Sequence, residues 1–135
     1  MFFGAASGRY AKFIFIILRA YYFRKGAIGM EIEITSANFE NEVTLSARPV
    51  LLDFTAGWCE EAKKIQPAVM EIAKEHPEIT VGKIDVDRSP EIAERFGVMN
   101  VPSFLLFRDG RLSVFSTGNQ TKETIADILS EHGDI

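Results

Sequence analysis

The residues best suited to chemistry sit in one short stretch, Thr55-Ala56-Gly57-Trp58-Cys59-Glu60-Glu61-Ala62-Lys63. Cys59 is the single cysteine of a 135-residue chain. A cysteine in the first turn of a helix faces unpaired backbone N–H groups and the positive end of the helix dipole, and both favour the thiolate. The thiolate is the nucleophile of disulfide exchange. Trp58 sets a flat apolar surface beside the sulfur, against which an extended peptide can lie. Lys63 and Lys64 favour the anion, whereas Glu60 and Glu61 oppose it. Each of these charges is worth about 1 kcal/mol or less at an exposed helix start, so their sum has no decided sign. A Gly-Trp-Cys turn between strand and helix points to an exposed, reactive thiol; the alternative is a small buried hydrophobe. One cysteine excludes an intramolecular disulfide framework and a multi-cysteine zinc site. His76 and His132 lie far from it and form no ligand-spaced set, so neither a metal nor another cofactor is expected.

The surrounding pattern predicts the elements that must position this turn. Glu31 to Thr35 alternates polar and apolar residues, as a short half-buried strand does. Ser36 is placed to cap a helix running to about Ser46, with Phe39 and Val43 on one face. Pro49 stops it. Val50-Leu51-Leu52-Asp53-Phe54-Thr55 then reads as a strand buried on both faces. A helix is expected from Cys59 to His76-Pro77, with Ile65, Val69 and Ile72 facing the core and Pro67 kinking it. Ile79 to Asp87 is the next strand, and Ser89-Pro90-Glu91 the capped start of a helix that ends at Gly97. Ser103 to Arg108 and Arg111 to Ser116 form a hairpin around Asp109-Gly110. Thr121 to His132 closes the chain as an amphipathic helix using Ile125, Ile128 and Leu129. The order β-α-β-α-β-α-β-β-α implies an α/β domain, a central mixed sheet with helices on both faces.

With these elements in place, the sequence resembles the thioredoxin family over about residues 31–132. The resemblance rests on Asp53-Phe54 leading into Ala56-Gly57-Trp58-Cys59, then Lys63 and Pro67. It continues through Lys83-Ile84-Asp85-Val86-Asp87, Phe96-Gly97-Val98, Val101-Pro102-Ser103, Phe107-Arg108-Asp109-Gly110 and Gly118. It implies a thioredoxin-like fold and a redox activity on protein disulfides or thiols. Pro102 matches the family's cis proline, with the Val101 backbone pairing with substrate main chain beside Cys59. Trp58 and Gly118 match further substrate-binding positions. Asp53 matches the buried acid, where a lone carboxyl holds its proton more tightly and can pass it on. Lys83 matches the lysine near that acid.

One departure governs the function. The family motif is Cys-x-x-Cys, and its fourth position here is Ala62. A dithiol enzyme forms a mixed disulfide with its first cysteine and resolves it intramolecularly with the second, at a large effective molarity. Alanine supplies no such thiol. Cys59 therefore halts at the mixed disulfide until an external thiol such as glutathione releases it. Three readings are open. The first is a thiol–disulfide oxidoreductase acting through Cys59, either a natural monothiol or a resolving-cysteine-to-alanine form that accumulates mixed disulfides. The second is a non-catalytic peptide-binding module. The third is a redox sensor in which the modified Cys59 is the signal.

Residues 1–29 are of a different kind. They hold five of the fifteen Lys and Arg residues, none of the nineteen acids, and eight of the fifteen aromatic residues. The rest of the chain is correspondingly acidic, which argues against a nucleic-acid-binding core. The upstream apolar run, Phe13 to Leu18, is interrupted by Arg19 and falls well short of the ~20 residues that span a bilayer. It also lacks the small-residue cleavage site of a signal peptide. These features favour a cytoplasmic protein with a domain over residues 30–135. Its extension, 1–29, is either disordered or lies on a membrane surface as an amphipathic segment.

Overall fold

The structure, a computed structural model, describes residues 30–131 together with Ile14 and Ile17. Apart from Ile14 and Ile17, the expected membrane-surface helix over residues 7–25 lies outside the described residues. From Met30 onward the chain forms five strands, β1 (Ile32–Glu33), β2 (Val50–Thr55), β3 (Thr80–Asp85), β4 (Ser103–Arg108) and β5 (Arg111–Thr117). Four helices alternate with them or come after: α1 (Glu40–Thr44, of π type), α2 (Glu60–Glu75), α3 (Pro90–Arg95) and α4 (Lys122–Glu131). The sheet order is β1-β3-β2-β4-β5. β1, β3 and β2 run parallel, and β4 and β5 are antiparallel additions at the other edge.

The unbroken apolar run of β2 has the cause expected of it. All six residues are buried, because β2 is the central strand and has helices on both faces. Its odd-numbered side chains and its even-numbered ones feed separate cores. Leu51 joins Val81, Phe104 and Leu106 beneath Ile65, Val69 and Ile72 of α2 and Ile125 and Leu129 of α4. Val50, Leu52 and Phe54 join Ile34, Ile84 and Leu105 on the opposite face, against Phe39, Val43 and Ile92. Phe39, Phe96 and Phe107 close that second core as an aromatic triangle, with centroids 5.2–6.2 Å apart.

The hairpin turn is likewise dictated by its residues. Asp109 and Gly110 both have positive φ, +52° and +76°, as a tight turn matching the sheet twist requires. Several boundaries differ from the sequence pattern. No helix starts at Ser36. The Thr35 N–H donates to Asn38 Oδ1 (2.8 Å), making a local turn, and the Ser36 hydroxyl bonds Glu91 instead. Beyond this turn the chain forms only the short π-type helix α1, although Phe39 and Val43 are buried together as expected. Ser89 likewise precedes α3 without a side-chain cap. The turn into α3 is held by Asp85, whose carboxylate accepts the N–H groups of Asp87 (2.9 Å) and Arg88 (3.3 Å). Pro67 lies within the continuous span of α2, where its ring removes one helical donor.

Candidate active site

Cys59 stands at the junction of β2 and α2, as the N-cap residue rather than the first helical one. Its side chain makes no hydrogen bond to the free N–H groups of the helix. The thiol instead turns across the loop toward the Val101 carbonyl (3.5 Å) and Glu61 Oε2 (3.7 Å). The expectation of an exposed thiol is corrected: Cys59 is only 5% exposed, packed with Ala56 and Ala62. The loop bearing Val101 closes over the sulfur, and sequence spacing gives no sign of that 42-residue approach. The charges around the sulfur are also resolved. Lys63 is held by Glu60 (3.4 Å), and the Glu61 carboxylate lies against the thiol.

Trp58 is the exposed partner of this buried sulfur, with 67% of its surface free. Together with Val86, Val98, Met99, Asn100 and Val101 it lines an open cavity of about 230 Å³. Met99 is 91% exposed. A tryptophan and a methionine held in water at the rim of a groove form an adaptable apolar surface for a peptide. Sequence patterning missed Met99. The residue lies in a loop where no periodicity assigns a direction.

The Val101–Pro102 peptide bond is cis. The Pro102 carbonyl accepts the N–H of Gly118 (3.1 Å), whose φ of +91° suits a residue without Cβ. Val101, Pro102 and Gly118 are thereby gathered in two adjoining loops. Val101 faces Cys59, and the Pro102–Gly118 bond ties the loop before β4 to the end of β5. Ser103 reinforces the arrangement by bonding Thr117 (2.8 Å) and the Asn100 carbonyl (2.6 Å).

Asp53 is completely buried in β2, in register with Lys83 on the neighbouring parallel strand β3. Neither of its oxygens receives a hydrogen bond from a donor. Burial raises its proton affinity well above the usual carboxylate range, and the nearby Glu31 carboxyl adds to the rise while Lys83 opposes it. The structure thus brings Asp53 and Lys83 together, as the resemblance implied. It adds Glu31, which the alternating pattern around β1 assigns to a solvent face. That face lies under α2, whose Gln66 donates its amide to Glu31. The only signal in the sequence is a glutamate opening a strand, a common and uninformative feature.

The comparisons agree with this geometry. The thioredoxin family model matches residues 30–131. Thioredoxin of Mycobacterium tuberculosis is 40% identical over 101 residues, covering 74% of this chain and 87% of that protein. Thioredoxin 1 of Synechococcus elongatus is 35% identical over 100 residues, covering 73% and 94%. Among solved structures, a mutant thioredoxin from Halobacterium salinarum superposes with a TM-score of 0.72 at 26% identity, covering 79% of this chain and 94% of that one. A strand-to-helix Trp-Cys turn, a cis proline loop against the sulfur, a buried acid in the central strand and these relatives lead to one conclusion: the chain belongs to the thioredoxin family, and its chemistry is that of a thiol–disulfide oxidoreductase.

Proposed function

We propose that this chain works as a monothiol: Cys59 attacks a protein disulfide, and the resulting mixed disulfide persists until an external thiol releases it. The observation that carries this reading is Ala62, a buried methyl packed against Cys59 where a resolving sulfur would have to stand. In the first step the Cys59 thiolate forms an S–S bond with one sulfur of the substrate, and the other sulfur leaves as a thiolate that takes up a proton. The electron count is unchanged, because one disulfide replaces another. In the second step a small thiol of the glutathione class attacks the mixed disulfide, regenerates the Cys59 thiol and leaves with the substrate sulfur. A reducing compartment such as the cytoplasm supplies that thiol.

The supporting residues take roles that fit this scheme. Trp58 and Val101 line the groove beside the sulfur, and the cis Pro102 sets the turn of the Val101 loop. In this scheme the Val101 backbone pairs with an extended substrate, and Gly118 ties the Pro102 loop through its N–H to the Pro102 carbonyl. Asp53, beside Lys83, is the proton store of the site. It has no resolving cysteine to serve here and acts on the proton balance around Cys59.

A second reading has one observation in its favour. Cys59 is buried while Trp58 and Met99 are exposed, a combination suited to holding a peptide without reacting. Insulin-disulfide reduction with a low-molecular-weight reductant separates the two. The monothiol reading expects slow turnover for the unsubstituted chain, a gain of tenfold or more on Ala62→Cys, and none for Cys59→Ser. It also expects a covalent adduct by intact mass, released by dithiothreitol. No gain and no adduct would leave the groove as a binding surface only.

A further inference from the structure

Three strands bring three ionisable residues abreast below the site. Lys83 of β3 is in register with Glu33 of β1 on one side and with Asp53 of β2 on the other. Glu31, two residues before Glu33, stands on that same face. Asp53 is wholly enclosed, with both carboxyl oxygens lacking a donor. Glu31 is half in and half out. One of its oxygens is buried without a donor and the other accepts the Gln66 amide from α2. Glu31 also lines a surface cavity of about 290 Å³ with Glu33, Lys83, Asp85 and Arg88.

The remaining charges around the cavity have other engagements. Glu33 is paired with Arg88 (3.1 Å), and Asp85 holds the backbone N–H groups that start α3. Lys83 is therefore the cation on the strand between buried Asp53 and half-buried Glu31, with the neutral Gln66 donating to Glu31 from α2. One lysine offsets one carboxylate. Two carboxyls on one face of the sheet, drawn out of water beside a single lysine, relieve their repulsion when one proton is kept between the two groups.

We propose that Glu31 and Asp53 operate as one acid pair holding a single proton, and that Glu31 is the residue through which this proton reaches solvent. The proton passes from the Asp53 carboxyl to the Glu31 carboxylate, and from Glu31 to water in the cavity. Only O–H bonds are made and broken, and no electrons move. Glu31 is a positioning residue: it sets how tightly Asp53 holds its proton. Burial of both groups supports the assignment, since it favours the protonated form of each. The pair rests on the geometry of β1, β2 and β3, so it stands whether or not Cys59 turns over.

Carboxyl 13C titration of the full chain by NMR tests it. In the unsubstituted protein the Glu31 and Asp53 resonances should each show both steps of a shared, two-step curve. Glu31→Gln keeps the acceptor for Gln66 and removes the neighbouring charge. It should lower the Asp53 midpoint by more than half a pH unit, about a threefold loss of proton affinity. Lys83→Met should move that midpoint the opposite way. Independent single-step curves in the unsubstituted chain, or an Asp53 midpoint that moves by less than half a unit in Glu31→Gln, would overturn the pair. The unsubstituted curves decide the matter even if a variant fails to fold.

Discussion

A methyl group at position 62 and a carboxyl at position 53 are the two side chains on which, beside the thiol itself, the proposed chemistry turns. In the proposed monothiol scheme, Ala62 removes the internal route off the mixed disulfide. Asp53 remains as an enclosed acid whose proton affinity is raised first by burial and then by Glu31. That rise has a consequence for stability with a definite sign. Between the ordinary carboxylate value near 3.8 and its higher folded value, the folded state binds more protons than the unfolded chain. Stability therefore falls as pH rises through that window, by up to about 1.4 kcal/mol per pH unit for one proton. Below the window the cost is absent. Asp53→Asn has no such proton to lose. Urea unfolding from about pH 5 to pH 8 should show a clearly flatter slope for Asp53→Asn and a more stable variant at the alkaline end. Parallel slopes for both proteins would show that Asp53 titrates as an ordinary carboxylate.

At the scale of the element, Gly82 decides how closely β1, β3 and β2 can carry their side chains past one another. A Cβ built there would lie 2.6 Å from Ile34 Cγ1 and 3.0 Å from Leu52 Cδ2, both in fully buried side chains. Neither has space to withdraw. Gly82→Ala is expected to cost about 1–3 kcal/mol, the usual range for overpacking a closed core. Gly57, in the turn before Trp58, has no atom within 4 Å of such a Cβ. Gly57→Ala should stay within about 0.5 kcal/mol. Denaturant midpoints of the two variants check the contrast, and equal midpoints would mean that Ile34 and Leu52 give way. Glycine in β3 thus serves packing, whereas the turn glycine is free of any such demand.

For the whole molecule, every buried apolar side chain among the described residues comes from Ile34 or later. Two cores on either side of one sheet account for the fold, and each is closed by helices downstream of Met30. No helix of the described residues is long and apolar enough to cross a membrane. Removing residues 1–29 should therefore change the unfolding free energy by less than about 2 kcal/mol, since tails outside a core rarely contribute more. Thermal and urea unfolding of the shortened and full chains give the comparison. A larger loss would mean that the aromatic, basic segment packs on the domain.

Local chemistry was legible in the residues themselves. β2 and β4 occupy the very spans that their apolar runs implied, Val50–Thr55 and Ser103–Arg108, because burial on both faces leaves an unbroken signal. The Asp109-Gly110 turn, the Trp58-Cys59 junction and the missing thiol at Ala62 were equally readable, being properties of adjacent residues. The first helix was not: the Asn38 and Phe39 N–H groups that a cap at Ser36 would have accepted go to the Thr35 carbonyl, and the Ser36 hydroxyl donates to Glu91. Nor was the burial of Cys59. A loop 42 positions away covers the sulfur, and helix-start position alone spoke for exposure. Glu31 is the clearest case of all. Alternation assigned it to water, and only the packing of α2 on the sheet brought Gln66 onto one of its oxygens while the other was enclosed. Sequence determined which groups are present and which strands they ride on; tertiary packing alone decided which of them are shut away from water, and hence which hold a proton.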